Sequence, residues 1–247
     1  MPKCKACNDT GWIMKEINGK AFALRCECYN TIEIERIRKE ANIPPRYINN
    51  RLSNYRASNQ QQVYAKNFAS NFVEEYPFVD YGIFFVGPCG VGKTHLATAI
   101  LNEIIEKGYE GKFSDFGNLL VQIKSSYNPA SRFSEVDIFS GLFQSPLLVI
   151  DDFASQRVTD WVLDTLTYLI KGLYNEKRIL ILTTNMQGIG IKPDVFFEQL
   201  TDKIGHTVTS RLYEMCQLIT VEAADYRKEF SSAHHRLKTK KYKRLKE

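Results

Sequence analysis

The stretch "FFVGPCGVGKTHLA", residues 84–97, decides the fold. Apolar residues come first, as in a buried strand. Gly87, Pro88, Cys89, Gly90, Val91, Gly92, Lys93 and Thr94 then satisfy G-x-x-x-x-G-K-[ST] in full, and an apolar helix start follows. Glycines let backbone N–H groups wrap phosphate oxygens, and the helix N-terminus adds positive potential. Lys93 is expected to reach the β- and γ-phosphates of ATP, and the Thr94 hydroxyl to ligate Mg²⁺. His95 follows and is expected to offer only its backbone N–H.

Downstream, "LLVIDDF" (147–153) buries four apolar residues and delivers two carboxylates to a strand end, where open α/β sheets bind ligands. Asp151 is the expected Mg²⁺-side carboxylate, and Asp152 is placed to orient an attacking water. "ILILTTN" (179–185) ends a third apolar run in Thr183, Thr184 and Asn185, and an amide there can hold both the lytic water and the γ-phosphate. "HTVTSRLYEM" (206–215) sets Arg211 on a short helix before the last apolar run, where an arginine can neutralise charge on a transferred phosphoryl. A surface salt bridge is the plainer reading of Arg211.

Around these motifs, short apolar runs at 82–86, 147–150, 179–182 and 218–221 alternate with amphipathic stretches at 93–107, 116–127 and 160–176. The alternation predicts an α/β fold with a parallel sheet covered on both faces. Another helix is expected from Ser58, with Ser58 and Gln61 as a capping box and an apolar stripe from Ala65 to Tyr76. Residues 31–41 read as helical, and Pro44-Pro45 marks a domain edge. The expected layout is a small front module over 1–30, a helical linker over 31–57, a phosphate-loop domain over 58–226 and a basic tail over 227–247.

The 247 residues carry a net charge of +5, but residues 227–247 alone hold nine Lys or Arg against two Glu. That tail suggests contact with a polyanion such as nucleic acid, or simply a solvated terminus. No apolar run is long enough to span a membrane, and the start lacks the apolar region of a secretory signal, so a cytoplasmic protein is expected. Four of six cysteines cluster as C-x2-C-x18-C-x-C: Cys4, Cys7, Cys26 and Cys28. Two short strand-like runs and an Asn18-Gly19 hairpin turn lie between the pairs. Thiolates at the ends of a hairpin can close a tetrahedral Zn²⁺ site; a redox pair or an iron–sulfur site are the alternatives. A small-molecule P-loop kinase would need an arginine-bearing lid near 125–160, and a GTPase would need N-K-x-D; neither is seen.

Together, "RLSNYRASNQQQVYAKNFASNF", "GPCGVGKTHLATAILNEI", "LLVIDDF", "LTTN" and "TSRLYEM" resemble, in order and spacing, the DnaC/DnaI helicase loaders and their relative, the IstB transposition ATPase. The likeness covers about residues 43–226, and "CKAC…CEC" looks like the cysteine-rich front of some DnaI-like proteins. The resemblance implies an AAA+ core with sheet order 5-1-4-3-2 and no C-terminal lid. It also implies a homo-oligomer in which Arg211 serves the neighbouring subunit. Single-stranded DNA and a replicative DnaB-type helicase would be the partners. DNA remodelling for a transposase is the alternative. Lys124 and Arg132, between the second and third core strands, become candidate DNA-phosphate contacts. Two departures stand out. Asp152 replaces the glutamate common in AAA+ proteins, and the chain after the last strand is too short and too charged for the usual helical lid, so no lid arginine is assigned.

Overall fold

A computed structural model describes residues 4–17, 20–26, 28–128, 130–186 and 192–228. At the front, β1 (Trp12–Ile17) and β2 (Lys20–Arg25) pair antiparallel, with Trp12 opposite Arg25. The Asn18-Gly19 turn lies outside the described residues, as does the tail beyond Lys228. Helix α1 (Tyr29–Glu40) follows, and a 3-10 turn at Pro45–Tyr47 leads to α2 (Gln60–Glu75).

The main domain alternates as expected: β3 (Gly82–Val86), α3 (Lys93–Glu106), β4 (Lys112–Asp115), α4 (Phe116–Ser126), α5 (Glu135–Phe143), β5 (Leu147–Asp151) and α6 (Asp160–Asn175). Then come β6 (Ile179–Thr184), α7 (Pro193–Ile204), α8 (His206–Met215) and β7 (Cys216–Thr220). The five strands β4-β5-β6-β3-β7 form one sheet, parallel at every pairing. Counted within the domain, that order is 5-1-4-3-2, the order the resemblance implies.

Strand periodicity explains the two cores. In β3, Ile83 and Phe85 point to one face and Phe84 and Val86 to the other, all fully buried. The first face packs under α1, α2 and α3 through Ile37, Phe72, Leu96 and Ile100. The second packs under the remaining helices through Phe116, Leu166, Phe196 and Leu212. A strand buried on both sides needs a continuous apolar run, which is why "GIFFV" and "LLVI" are legible.

Two local expectations shift. The cap of α2 is Asn59, not Ser58: Asn59 accepts from Gln62 N at 2.9 Å, and Gln62 Oε1 reaches back to Ser58 N at 2.7 Å. Both residues cap well, and the reach of Gln62 rather than Gln61 fixes the register. The last strand begins at Cys216, two residues before "LITV", because α8 runs straight into it. Helices α5 and α7 and strand β4 had no individual prediction. Among the described residues, no helix is long and apolar enough to cross a membrane.

Candidate functional site: a phosphate loop at the sheet's C-terminal edge

The turn from β3 to α3 can fold only because glycine occupies its positive-φ places. Gly90 (φ 81°) and Gly92 (φ 98°) sit in the left-handed region, and a Cβ at Gly92 would meet the Tyr55 ring at 2.6 Å. The turn opens α3, whose first N–H groups have no helical partner and face the loop. Lys93 is buried, and its Nζ donates to Gly87 O and Pro88 O at 2.7 Å each and to Asn185 Oδ1 at 2.9 Å. Burial pulls the Lys93 ammonium down to about 8, against the opposing pull of Cys89, Asp151 and Asp152.

Parallel strands bring the other motifs to the same edge. Thr94 Oγ1 donates to Asp151 Oδ1 at 2.8 Å, and Thr183 Oγ1 donates to the same oxygen at 2.6 Å. A hydroxyl beside a buried carboxylate is a hard-oxygen pair that can hold Mg²⁺ next to the loop. Burial raises the Asp151 carboxyl above its ordinary range, partly offset by these two bonds; a cation would supply the missing positive charge. Asp152 adopts φ 56°, its N–H held by Thr183 Oγ1 at 3.0 Å, and its Oδ1 accepts from Asn185 Nδ2 at 2.5 Å. Asn185 therefore bridges Lys93 and Asp152. The side chain of His95 turns away: Nε2 lies 3.1 Å from Arg51 O, and its ring meets Tyr55 edge-on at 5.4 Å.

A cavity of about 560 Å³ opens beside the loop, lined by Cys89–His95 and by two chain segments that motif reading missed. One is residues 46–58, with Tyr47, Asn50 and Arg56; the other is residues 223–227, with Tyr226 and Arg227. Asn50 and Asn102 fasten the first segment to α3, with Asn50 Nδ2 donating to Thr98 Oγ1 at 2.8 Å and Asn102 Nδ2 to Tyr47 O at 2.9 Å. The second lies across the loop, where Tyr226 N donates to Gly90 O at 3.1 Å. Arg227, after the last strand, lines this cavity because the chain folds back over the loop. Only the charge of Arg227 was legible, not its return.

The remaining candidates lie elsewhere. Arg211 does not line this cavity; its Nη1 donates to Thr207 O at 2.7 Å and its guanidinium stacks over Tyr174 at 5.6 Å. Lys124 Nζ lies 4.6 Å over the Trp161 ring, and Arg132 lies 5.7 Å from the Phe133 ring. The sulfurs of Cys4, Cys7, Cys26 and Cys28 all lie within 4.8 Å of one another. Four thiolates around a tetrahedral Zn²⁺ at ~2.3 Å stand about 3.8 Å apart, so the donor set fits that ion. Shared hydrogen bonding holds the Cys7 thiol down at about 6 and pushes Cys28 up.

Comparison with known proteins agrees with this geometry. The family model described as IstB-like ATP binding protein matches residues 34–234. The replicative helicase loader DnaC of Escherichia coli (strain K12) is 25% identical over 181 residues, 73% of this chain and 70% of that protein. The phage-like element PBSX protein XkdC of Bacillus subtilis (strain 168) is 23% identical, over 90% of this chain and 84% of its own. Among solved structures, a DnaC helicase loader superposes with TM-score 0.66 at 32% identity, covering 72% of this chain and all of that one. DnaI shares the fold at TM-score 0.60 and 19% identity, covering 74% of this chain and 94% of that one. The chain belongs to the IstB-like ATP binding protein family, and it is an AAA+ ATPase.

Proposed function

We propose that this protein is an ATP-dependent loader of a replicative DnaB-type helicase onto single-stranded DNA, with ATP binding and hydrolysis switching its assembly and release. The observation that carries this reading is the likeness, at 32% identity, to the whole of a solved DnaC helicase loader chain. Lys93 and the loop from Gly87 to His95 bind the triphosphate, and Thr94 and Asp151 hold Mg²⁺. Asp152 and Asn185 position the attacking water. Arg211, which lies outside its own subunit's cavity, completes the site of a neighbour in a homo-oligomer. Lys124 and Arg132 contact DNA phosphates. Cys4, Cys7, Cys26 and Cys28 hold one structural Zn²⁺ that stabilises the front hairpin, too small a unit to fold on apolar burial alone. The work takes place in the cytoplasm.

Affinity capture with the DnaB-type helicase of the same genome tests this. Co-purification that depends on Mg·ATP is expected. The family description favours one second reading, an IstB-like ATPase remodelling DNA for a transposase. Capture of a transposase with no capture of the helicase would replace the first reading by the second.

A further inference from the structure

Arg211 is held in an unusual way for an arginine near a surface. Only Nη1 makes a hydrogen bond, to Thr207 O one helical turn back, while Nε is buried without a partner among the described residues. A buried guanidinium nitrogen is normally satisfied, so an empty one calls for an explanation. What fixes the side chain instead is the neighbouring helix: the Tyr174 ring of α6 lies 5.6 Å from the guanidinium carbon. Tyr174 is itself anchored, because its hydroxyl donates to both Glu214 oxygens at 3.0 Å. Glu214 sits three residues beyond Arg211 on α8, so the same helix supplies both the arginine and the anchor of the ring beneath it.

We propose that Tyr174, braced by Glu214, is a positioning residue for Arg211. The ring holds the guanidinium through its face, a contact that uses none of its N–H groups. A carboxylate partner would have used up those groups and cancelled the charge. Glu214 instead bonds to the tyrosine hydroxyl rather than to the guanidinium. The device therefore presents a pre-oriented guanidinium whose Nη2, neither buried nor bonded among the described residues, faces an incoming anion. That anion is a transferring phosphoryl group on an adjacent subunit, so the inference rests on the trans role proposed for Arg211.

The test compares full-length wild type, Arg211→Ala, Tyr174→Leu, Tyr174→Phe, Glu214→Gln and the double variant Tyr174→Leu/Arg211→Ala in steady-state ATP hydrolysis, with ATP affinity measured separately. Tyr174→Leu is expected to lower kcat roughly tenfold with ATP affinity unchanged, in line with removal of a cation–π interaction. Tyr174→Phe and Glu214→Gln, which keep the ring but remove or weaken its brace, should each cost about two- to threefold. In the double variant Tyr174→Leu should cost nothing further, because residues acting as one unit do not add. Mixed with Lys93→Ala, which has a sound arginine but no working loop, Tyr174→Leu should recover activity above either parent; a merely misfolded subunit would not. Wild-type kcat in Tyr174→Leu, or a full additional loss in the double variant, overturns the positioning role. If Tyr174→Leu does not fold, the ring-keeping pair decides: a detectable loss in Glu214→Gln supports the brace, and none overturns it. Wild-type turnover in Arg211→Ala would instead sink the underlying trans assignment.

Discussion

Lys93 Nζ donates to Asn185 Oδ1 at 2.9 Å, tying the phosphate loop to the end of β6. The same amide holds Asp152 through its other end. A change at the loop is thereby felt at the residue that positions water. Its strength depends on the charge of Lys93, which yields the first prediction.

Unfolded, Lys93 keeps its proton to about its ordinary 10.5; folded, burial brings this to about 8. Between those values the unfolded chain binds more protons, so the ligand-free fold gains stability from this group as pH rises. Mg·ATP needs the ammonium, so its affinity should fall as pH rises through 8. Binding at pH 8 should take up about half a proton, seen as a heat that changes with buffer ionisation enthalpy. Lys93→Ala should bind Mg·ATP weakly and lose this proton uptake. Buffer-independent heats in the wild type would refute the assignment.

Asp152→Asn should bind ATP normally and hydrolyse it about 10²-fold more slowly, the scale of a lost general-base or positioning group. Asparagine tolerates the left-handed backbone at this position, so the change leaves the turn intact. Wild-type turnover would remove Asp152 from the mechanism.

Arg211→Ala should bind ATP yet lose about 10³-fold or more in turnover, as when a finger in trans is removed. Mixing it with Lys93→Ala pairs a sound loop with a sound finger, so activity should exceed that of either variant alone. Light scattering checks that the two assemble together. Co-assembled mixtures as inactive as their parents would end the trans model.

Purified protein should contain close to one Zn²⁺ per chain by elemental analysis. Cys26→Ser should lose the metal and helicase capture but keep ATP binding, because the thiol cluster and the phosphate loop belong to separate parts of the chain. Metal-free protein with a protease-resistant front hairpin would contradict this.

The segment after Lys228 holds seven Lys or Arg. Removing it should flatten the salt dependence of single-stranded DNA binding, by roughly 0.7 in the log–log slope for each phosphate that the tail neutralises. An unchanged slope would assign the tail to solubility.

How much of this could be read in advance varied with the physics of each part. The phosphate loop, Asp151, Asp152 and Asn185 were legible because each rides on a buried strand whose apolar run ends in polar residues. Parallel pairing alone then brings those ends together. Strand β4, only "KFSD", is too short and too mixed to announce itself. Helix α7 did carry a signal, with Phe196, Phe197, Leu200 and Ile204 at helical spacing after Pro193 at the first turn. The walls of the cavity were not legible. Arg56 and Arg227 lie far apart in the chain, and only the docking of residues 46–58 on α3 and the fold-back of 221–228 bring them to one place.

That fold-back has a consequence for turnover of the protein in the cell. Val221 N bonds to Val86 O and Tyr226 N to Gly90 O, so the stretch leading to the C-terminus is laid over the loop rather than trailing from it. A nucleotide held between this stretch and residues 46–58 would act as a staple across the whole domain. At a thousandfold excess over its Kd, such a ligand adds about 4 kcal/mol of stability. Local opening of this stretch, the step that exposes backbone to proteolysis, would then be suppressed by ATP, and the chain's lifetime would track the supply of ATP.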